Sequence, residues 1–592
     1  MWLKKLLILV EAWGLAVLVT LTVIAFGLAT LDSLRDYSAY ALWEALIQTL
    51  QSDAEEATGW TGWMHLLFKA SLAWAAVRVY MATAGLKWDH FSARWLAREH
   101  VVIVAGREDA RNGASPQEVD KSELALELAL AMAPANSVVL ALPDVDEGQR
   151  SRLWQAGVRV VTGPLPLASL LIATGAKRAR MLVSMRDDHA QNIALAHAAL
   201  SPATANSALE VRCMIEPLAV RRDFRVEDYF EAAVLPRIRT FNESDILARR
   251  LLRIHPPDEP VALSDSIGVH VIVVGLGSIG QSILVQLARV GHYRSGRKPK
   301  VTVIDRHVGD RWREVRQAYP TLEQWLHVET VENRLEDIGL EQVRRWLADE
   351  RPVTLAYVCT KNEIANLRIA RLLLKRGQGQ TGENSFPAKV VALDPPGGCV
   401  LTDFAVHGDH AGRFHLFSLL RGTGGFLGEV DDDRARQFHA GYCARDNEMV
   451  RSQPGRPPAL SNRPWEALDE SLRNANRMTA DHFEVKMRAI GCLIVPREGN
   501  TRPVVTLQGD ELELLSRMDH DRWWADRSLD GWRHGLVRDN TAKVHPNMVP
   551  YEELTEPIKQ LDRDSVLQIV EILAQEGLVI VRAPATDAAQ VH

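Results

Sequence analysis

The chain has 592 residues, enough for several domains of roughly 100–200 residues each. It is 47% hydrophobic and 24% charged with a formal net charge of -6, a globular composition that gives no ground for expecting a nucleic-acid partner. Its five cysteines are widely spaced and form no C-x-x-C pair, so neither a disulfide framework nor a zinc site is predicted, and a reducing compartment fits.

A long apolar segment lies near the N-terminus. Ala12–Leu31 carries no charge and extends over about 30 Å as a helix, which matches one bilayer core. Lys4 and Lys5 precede it, but its apolar run is longer than the apolar region of a signal peptide, and no clear cleavage site follows. We therefore predict an uncleaved membrane helix over about residues 6–31, with the lipid bilayer as a partner.

A second apolar segment, residues 63–84, carries three basic side chains: His65, Lys69 and Arg78. Central cations are costly in a bilayer, so this segment is predicted to span only when it is paired with the first helix. An amphipathic helix lying at the membrane interface is the alternative.

The charges around these segments predict an orientation for the hairpin. Lys87, Arg94 and Arg98 follow the second segment, whereas the stretch between the two segments is mainly acidic. Basic residues favour the cytoplasmic side, so we expect residues 1–98 to form a multi-pass anchor in the cell (inner) membrane, with the bulk of the chain in the cytoplasm. No T-V-G-Y-G filter is present, so a potassium pore is not encoded directly.

Short apolar strands and helical patterns alternate from residue 99 onward, in two successive copies. The strand "HVVIVAG" begins at His100, and the similar strand "HVIVVGLG" begins at His270; further strands follow each of them in the same order. This alternation is typical of parallel α/β domains. We predict two tandem Rossmann-like domains, at 99–245 and 268–440.

The second copy carries a complete Gly-rich turn between a strand and an apolar helix: Gly275, Leu276, Gly277, Ser278, Ile279 and Gly280. A pyrophosphate is favoured at such a helix N-terminus, and Asp305, followed by Arg306, ends the next strand where an acid can bind a ribose. These residues predict a site for NAD(H) or another adenine nucleotide. A packing turn in a fold that has lost its ligand is the alternative.

The first copy has a degenerate turn, Gly106-Arg107-Glu108-Asp109-Ala110-Arg111. Two of the three glycines are replaced, and two carboxylates stand where a phosphate would bind. This copy is predicted to have a structural role, or to bind a different ligand.

This layout resembles the TrkA-N, or RCK (regulator of K⁺ conductance), domains. Gly163–Asn192 and Cys359–Ala370 are similar to stretches of that family, although Pro164 replaces the family's acid. Membrane helices followed by two such domains also resemble, distantly, the Castor and Pollux channels of the plant nuclear envelope. The resemblance implies domains that sense nucleotides or ions, gate transport and pair as a homo-dimer or higher oligomer.

A Pro-rich stretch indicates a linker, which we predict at 441–464. The residues after it, Trp465–Gly491, have the pattern of one long amphipathic helix. This helix and the domain after it occupy 465–592. The domain contains, in order, His520 and Trp523, Gly531-Trp532, Gly535, His545-Pro546, Val549-Pro550-Tyr551 and Gly577. With these residues, about Val504–Val581 resembles the RyR domain, the repeat of ryanodine receptors, and the resemblance implies a mostly helical domain with a nucleotide-like ligand.

The residue types in this domain allow a ligand pocket. His520 and Trp523 are three apart and share a helix face. With Trp532 and Tyr551 they are predicted to wall a pocket that stacks a purine base, with His520, Arg522 or Lys543 near a phosphate. The alternative is that the tryptophans form the core of a small domain.

The pattern favours a regulator over an enzyme, because no catalytic set accompanies the Gly-rich turn. The histidine-rich stretch after Asp394 (His407, Asp409, His410 and His415) matches no metal motif and is interpreted as a solvated loop. We expect a membrane-anchored, ligand-sensing protein that controls ion transport or a membrane partner. The alternatives are a tethered NAD(P)-dependent oxidoreductase and a nucleotide-activated, membrane-disrupting defence effector.

Overall fold

The computed structural model describes residues 89–90, 92–106, 121–163, 165–201, 206–216, 218, 224, 226–333, 353–360, 362–375, 389–393, 413–417, 432–453, 455–459 and 461–584. Both predicted membrane segments, the degenerate turn after Gly106, Pro164 and the histidine-rich stretch before His415 lie outside these residues. Within the described part of the chain, no helix has the length and apolarity needed to cross a bilayer.

The first α/β domain is built on a six-stranded sheet. Its strands are β1 (His100–Ala105), β2 (Val138–Leu142), β3 (Arg159–Thr162), β4 (Ala179–Met185), β5 (Glu210–Met214) and β6 (Ile238–Phe241). Their order is β3-β2-β1-β4-β5-β6, the order of a Rossmann fold. β1 and β2 are buried along their whole length, as expected for central parallel strands covered on both faces. The helices between them are α1 (Lys121–Met132), α2 (Glu147–Gln155), α3 (Leu167–Ala173) and α4 (His189–Leu200).

The second domain repeats this topology. Its strands are β7 (His270–Val274), β8 (Lys300–Asp305), β9 (His327–Glu332), β10 (Leu355–Val358), β11 (Lys389–Leu393) and β12 (Phe414–Phe417). The order β12-β11-β10-β7-β8-β9 is the same Rossmann order read from the other edge, and the pairings are parallel. The prediction of two tandem Rossmann-like sheets is therefore confirmed. Helix α5 (Glu243–Ile254) precedes this sheet, and α6 (Ser278–Val290), α7 (Val308–Ala318) and α8 (Glu363–Lys375) lie between its strands.

A buried asparagine has the same structural role in both copies. Asn192 Nδ2 donates to Met214 O, at the end of β5, at 3.1 Å. In the second copy, Asn366 Nδ2 donates to Leu393 O, at the end of β11, at 3.2 Å, while its Oδ1 accepts from Thr360 N. Each amide thus ties together the carboxyl ends of two neighbouring strands, which explains why both copies carry an Asn turn.

The C-terminal module is mostly helical. Its helices are α9 (Asp433–Ser452), α10 (Glu470–Asp481), α11 (Phe483–Ala489), α12 (Gly509–Leu529) and α13 (Glu556–Gln575). Strands β13 (Cys492–Pro496) and β16 (Leu578–Arg582) pair antiparallel, and the short β14 (Arg533–His534) and β15 (Val544–His545) form a second ribbon. One hydrophobic cluster runs from α6 into this module and includes Ile283, Leu287, Phe483, Met518 and Ile569.

Two expectations about the start of this module need correction. The predicted linker at 441–464 begins inside α9, which continues to Ser452. The predicted single helix at 465–491 is a 3-10 turn followed by α10 and α11, which meet at His482. The tertiary contact explains the break: His482 is fully buried, and its Nε2 lies 3.0 Å from His292 O on the second domain.

Candidate functional site

The Gly-rich turn connects β7 to α6, and two of its glycines are required by the backbone. Gly275 has a φ of +97°, in the left-handed region that disfavours side chains, and its N–H donates to Ile304 O at 2.8 Å. A Cβ at Gly280 would lie 2.0 Å from Gly275 O. Any side chain at Gly280 would therefore push α6 away from the strand.

Gly277 differs from these two glycines, because nothing lies within 4 Å of the position that its Cβ would occupy. Its φ of -73° is ordinary, and it occupies the N-cap position of α6. Ser278 is exposed and Ile279 is half-buried. The space at the N-terminus of α6 is thus open, and the fold itself does not demand glycine at 277. This arrangement fits an approaching phosphate.

Asp305 is placed next to the turn, but its carboxylate is occupied by the protein. Its Oδ2 accepts from Leu276 N at 2.8 Å and from Arg311 Nη1 at 2.6 Å, and its Oδ1 accepts from His307 N at 2.8 Å. The side chain is buried, whereas Arg306 beside it is exposed. A ribose at Asp305 would have to displace one of these donors, so the turn fits a phosphate better than the acid fits a ribose.

The C-terminal module borders a large cleft with a volume of about 1530 Å³. Its other wall comes from β5 and β6 of the first domain and from α5 and α6. Of the six ligand-binding residues predicted for the RyR domain, five line this cleft: His520, Arg522, Trp523, Trp532 and Lys543. Tyr551 does not line it; it is buried, and its Oη donates to Glu513 Oε1 at 2.9 Å.

Three aromatic rings form a notch in this cleft: Trp523, Trp532 and His545. The His545 ring centroid lies 5.0 Å from that of Trp523 and 6.3 Å from that of Trp532. The Arg527 guanidinium lies 5.7 Å from the centroid of Trp532. Burial, together with the charges of Arg538 and Arg527, lowers the pKa of His545 to about 4, so this ring is neutral. We call these three rings the aromatic notch.

Three further residues line the cleft that were not among the predicted ligand residues: Arg527, Arg538 and His545. Arg527 lies four residues after Trp523 on α12, so helical spacing contained a signal for it. Arg538 and His545 reach the cleft through a loop and a two-residue strand, and neither follows from local periodicity.

His520 and Arg522 are structural in this geometry. His520 is buried, with Nε2 2.9 Å from Val549 O and Nδ1 3.4 Å from Asp562 Oδ2. Burial opposes a charge on His520, but Asp562 outweighs it and raises the pKa of the ring. Arg522 is equally buried and pairs with Asp519 at 3.2 Å. These two side chains hold the module together and also line the cleft, so their place near a phosphate stays a prediction.

Lys543 remains partly accessible at the rim. Its Nζ donates to Asp530 O at 2.6 Å, and its backbone is in the left-handed region with a φ of +52°. A non-glycine residue in this region costs free energy, so the surrounding contacts must hold it there. Trp523, Trp532 and Lys543 are thus the predicted residues that remain available to a ligand.

Two bidentate ion pairs join the C-terminal module to α5 and to the segment that follows α5. Arg249 of α5 donates through Nε and Nη2 to Asp481, at 2.7 and 3.0 Å. Arg488 donates in the same bidentate way to Asp258, with both distances 2.9 Å. Bidentate pairs are specific in geometry as well as favourable in energy, so they define how α10 packs on α5 and how α11 packs on the segment after it.

The buried His482 at this interface predicts acid lability. Burial, with the charges of Lys486 and Arg522, holds its pKa well below the ordinary value, and its Nδ1 has no hydrogen-bond partner in the described part of the chain. In the unfolded chain His482 therefore takes up a proton near pH 6.5, whereas in the folded chain it stays neutral at that pH. The contribution of His482 to the free energy of unfolding is fully present above about pH 6.5. Below that pH it decreases by up to about 1.4 kcal/mol per pH unit.

The measurement is the unfolding midpoint between pH 7.5 and 5 for the wild type and for His482→Gln, whose amide can keep the bond to His292 O. The variant should lose part of the acid slope, while His534→Gln, at an exposed position on β14, should keep it. If the unfolding midpoint changes equally with pH in all three proteins, His482 is not a source of the acid sensitivity.

Comparison with known proteins identifies part of the chain. Residues 507–582 match the family model of the RyR domain, which confirms the predicted RyR domain. Among solved structures, a GsuK channel bound to NAD is similar, with 14% identity and a TM-score of 0.36 over 73% of this chain and 84% of that one. A dipicolinate synthase chain from Bacillus halodurans is similar with 14% identity and a TM-score of 0.20, over 56% of this chain and 96% of that one. The chain thus combines two Rossmann-like domains with an RyR domain.

Proposed function

We propose that this chain is a membrane-anchored regulatory protein that senses a nucleotide, NAD(H) or another adenine nucleotide, and thereby controls ion transport or a membrane partner. The observation that carries the proposal is the position of α6. Its first turn is the open Gly-rich turn, and its flanks pack on α5, α10 and α12.

This position couples the turn to the rest of the protein. Ten of the residues of α6 are buried, so the helix has little freedom to move without its neighbours. A phosphate bound at Gly277 would pull on the N-terminus of α6. The packing of α6 on α10 and α12, with the ion pair of Arg289 to Asp526 at 3.5 Å, would carry a shift to the C-terminal module. Packed helices respond to such a shift as rigid elements rather than by continuous deformation.

The remaining parts of the proposal rest on the sequence. The segments at 6–31 and 63–84 would anchor the protein in the inner membrane, and RCK-type pairing would make it a homo-oligomer. A second, nucleotide-like ligand would bind at the aromatic notch of the RyR domain, with its base against Trp523 and Trp532.

The test is nucleotide binding by the full-length protein in detergent, measured by calorimetry with NAD, NADH, ATP and ADP-ribose. At least one of these should bind, and Gly277→Val should weaken its binding by roughly a hundred-fold, because the side chain fills the space open to phosphate. Gly309→Val is the matched control: Gly309 also lies in the first turn of a helix, α7, with nothing within 4 Å of its Cβ position.

If Gly309→Val and Gly277→Val weaken nucleotide binding equally, the Gly-rich turn is not the nucleotide site. The absence of any nucleotide binding would contradict the proposal as well. Steady turnover of NADH would favour the tethered oxidoreductase instead. Nucleotide-dependent ion flux through proteoliposomes would support control of transport, whereas growth arrest on the same signal would favour the defence effector.

A further inference from the structure

Four arginines from the first domain and the C-terminal module line the large cleft: Arg212, Arg239, Arg436 and Arg473. We call them the arginine cluster. They lie far apart in the sequence, on β5, β6, α9 and α10. Neither the Gly-rich turn nor the aromatic notch includes any of them.

Two of the four are neighbours in the first sheet. Arg212 and Arg239 are register partners across the parallel strands β5 and β6, so their side chains leave the same face of the sheet. Like charges on directly paired positions are destabilising. Glu210 offsets part of this repulsion, since its Oε2 accepts from Arg212 Nη2 at 3.1 Å.

The other two come from the module and meet Arg239 at one residue, Glu466. Arg239 Nη2 and Arg473 Nη2 both donate to Glu466 O, each at 3.1 Å. Arg436 Nη1 donates to the side chain of the same residue, Glu466 Oε1, at 2.7 Å. Three guanidinium groups are therefore gathered around a single residue.

The charge of Arg239 is not matched within the described part of the protein. Its donors bond only backbone carbonyls, those of Leu235, Ile238 and Glu466, and no described carboxylate lies within ion-pair distance of it. Burial, then the charges of Arg473 and Arg212, lower the pKa of Arg239 to about 10. Arg473 is only 4% exposed, and its own charge is paired, since its Nη1 donates to Glu470 Oε2 at 3.1 Å. A bound anion would relieve this repulsion.

We infer that the arginine cluster binds a small polyanion carrying two or more phosphate groups, held between the first Rossmann-like domain and the C-terminal module. Guanidinium groups bind phosphate oxygens in bidentate pairs, and several of them in one cleft select for more than one phosphate. A cleft of about 1530 Å³ has ample room for such a ligand. The site gives the first domain a binding role that does not use its own degenerate turn.

The experiment measures the binding of inorganic tripolyphosphate to the full-length protein in detergent, by calorimetry at moderate salt. The wild type should bind, and Arg239→Gln and Arg436→Gln should each weaken binding by roughly ten-fold or more. Arg451→Gln is the matched control, because Arg451 is on the same helix as Arg436, is 73% exposed and does not line the cleft. It should change binding less than about two-fold.

Absence of tripolyphosphate binding by the wild type would overturn the inference. So would an equal loss in Arg451→Gln, since that would indicate general charge attraction. Circular dichroism checks that each variant is folded, and Arg436→Gln, at a 40% exposed side chain, keeps the test decisive if Arg239→Gln is unstable. Gly277→Val should leave tripolyphosphate binding intact, which separates this site from the proposed nucleotide turn: either site can fail alone.

Discussion

Asp519→Ala is expected to lower the free energy of unfolding by about 3–5 kcal/mol, because it leaves a buried cation without its partner. Lys486 is fully buried, and its Nζ donates to Asp519 Oδ1 at 2.7 Å. Arg522 and Ser565 also donate to this carboxylate, at 3.2 and 2.8 Å. These contacts lower the pKa of Asp519 strongly against the effect of its burial, with Lys486 as the main favourable partner.

Thermal and urea unfolding of the full-length protein measure this effect. Asp510→Ala, at an exposed position on the same helix, serves as the control and should cost less than about 1 kcal/mol. The double variant Lys486→Met/Asp519→Leu should recover part of the loss, because it removes both charges together. An Asp519→Ala protein as stable as the wild type would show that Lys486 finds another partner.

Gly280→Ala is expected to disrupt the β7–α6 turn, because the new Cβ would lie 2.0 Å from Gly275 O. Overpacking against backbone typically costs about 1–3 kcal/mol, and here it also moves α6, so we expect a lower unfolding midpoint together with loss of nucleotide binding. Gly277→Ala, three residues earlier, should stay within about 1 kcal/mol of the wild type, since its Cβ meets nothing.

Differential scanning fluorimetry of the two variants separates these glycines. If Gly277→Ala is destabilised and Gly280→Ala is not, the close approach to the backbone would belong to Gly277 and not to Gly280. If both variants unfold like the wild type, the close approach of α6 to the turn is not needed for stability.

Much of the fold follows from local patterns. Buried parallel strands are continuous apolar runs, so "HVVIVAG" and "HVIVVGLG" were readable as the first strands of two repeated sheets. The Gly-rich turn was readable because a tight strand-to-helix turn needs glycine at fixed spacing, as the φ of Gly275 and the crowding at Gly280 confirm. The RyR domain was readable because its motif residues are dense within one stretch.

Side-chain roles were less predictable, because each depends on partners that are distant in sequence. His520 has the spacing of a ligand residue, yet Asp562 and Val549 hold it in the interior. Asp305 stands at the position of a ribose acid, yet Arg311 occupies its carboxylate. Local spacing indicates which face a side chain leaves, but it does not indicate which distant group meets it there.

By itself, then, the sequence determined the two Rossmann-like domains, the Gly-rich turn, the RyR domain and the apolar segments at the N-terminus, because each is encoded by residues within one short stretch. Only the tertiary structure decided that α6 packs between α5 and the C-terminal module, and that Arg212, Arg239, Arg436 and Arg473 line the same cleft. The physical reason is that burial, ion pairing and charge repulsion depend on distances in space, and residues as far apart as Arg239 and Arg473 become neighbours only when the domains pack.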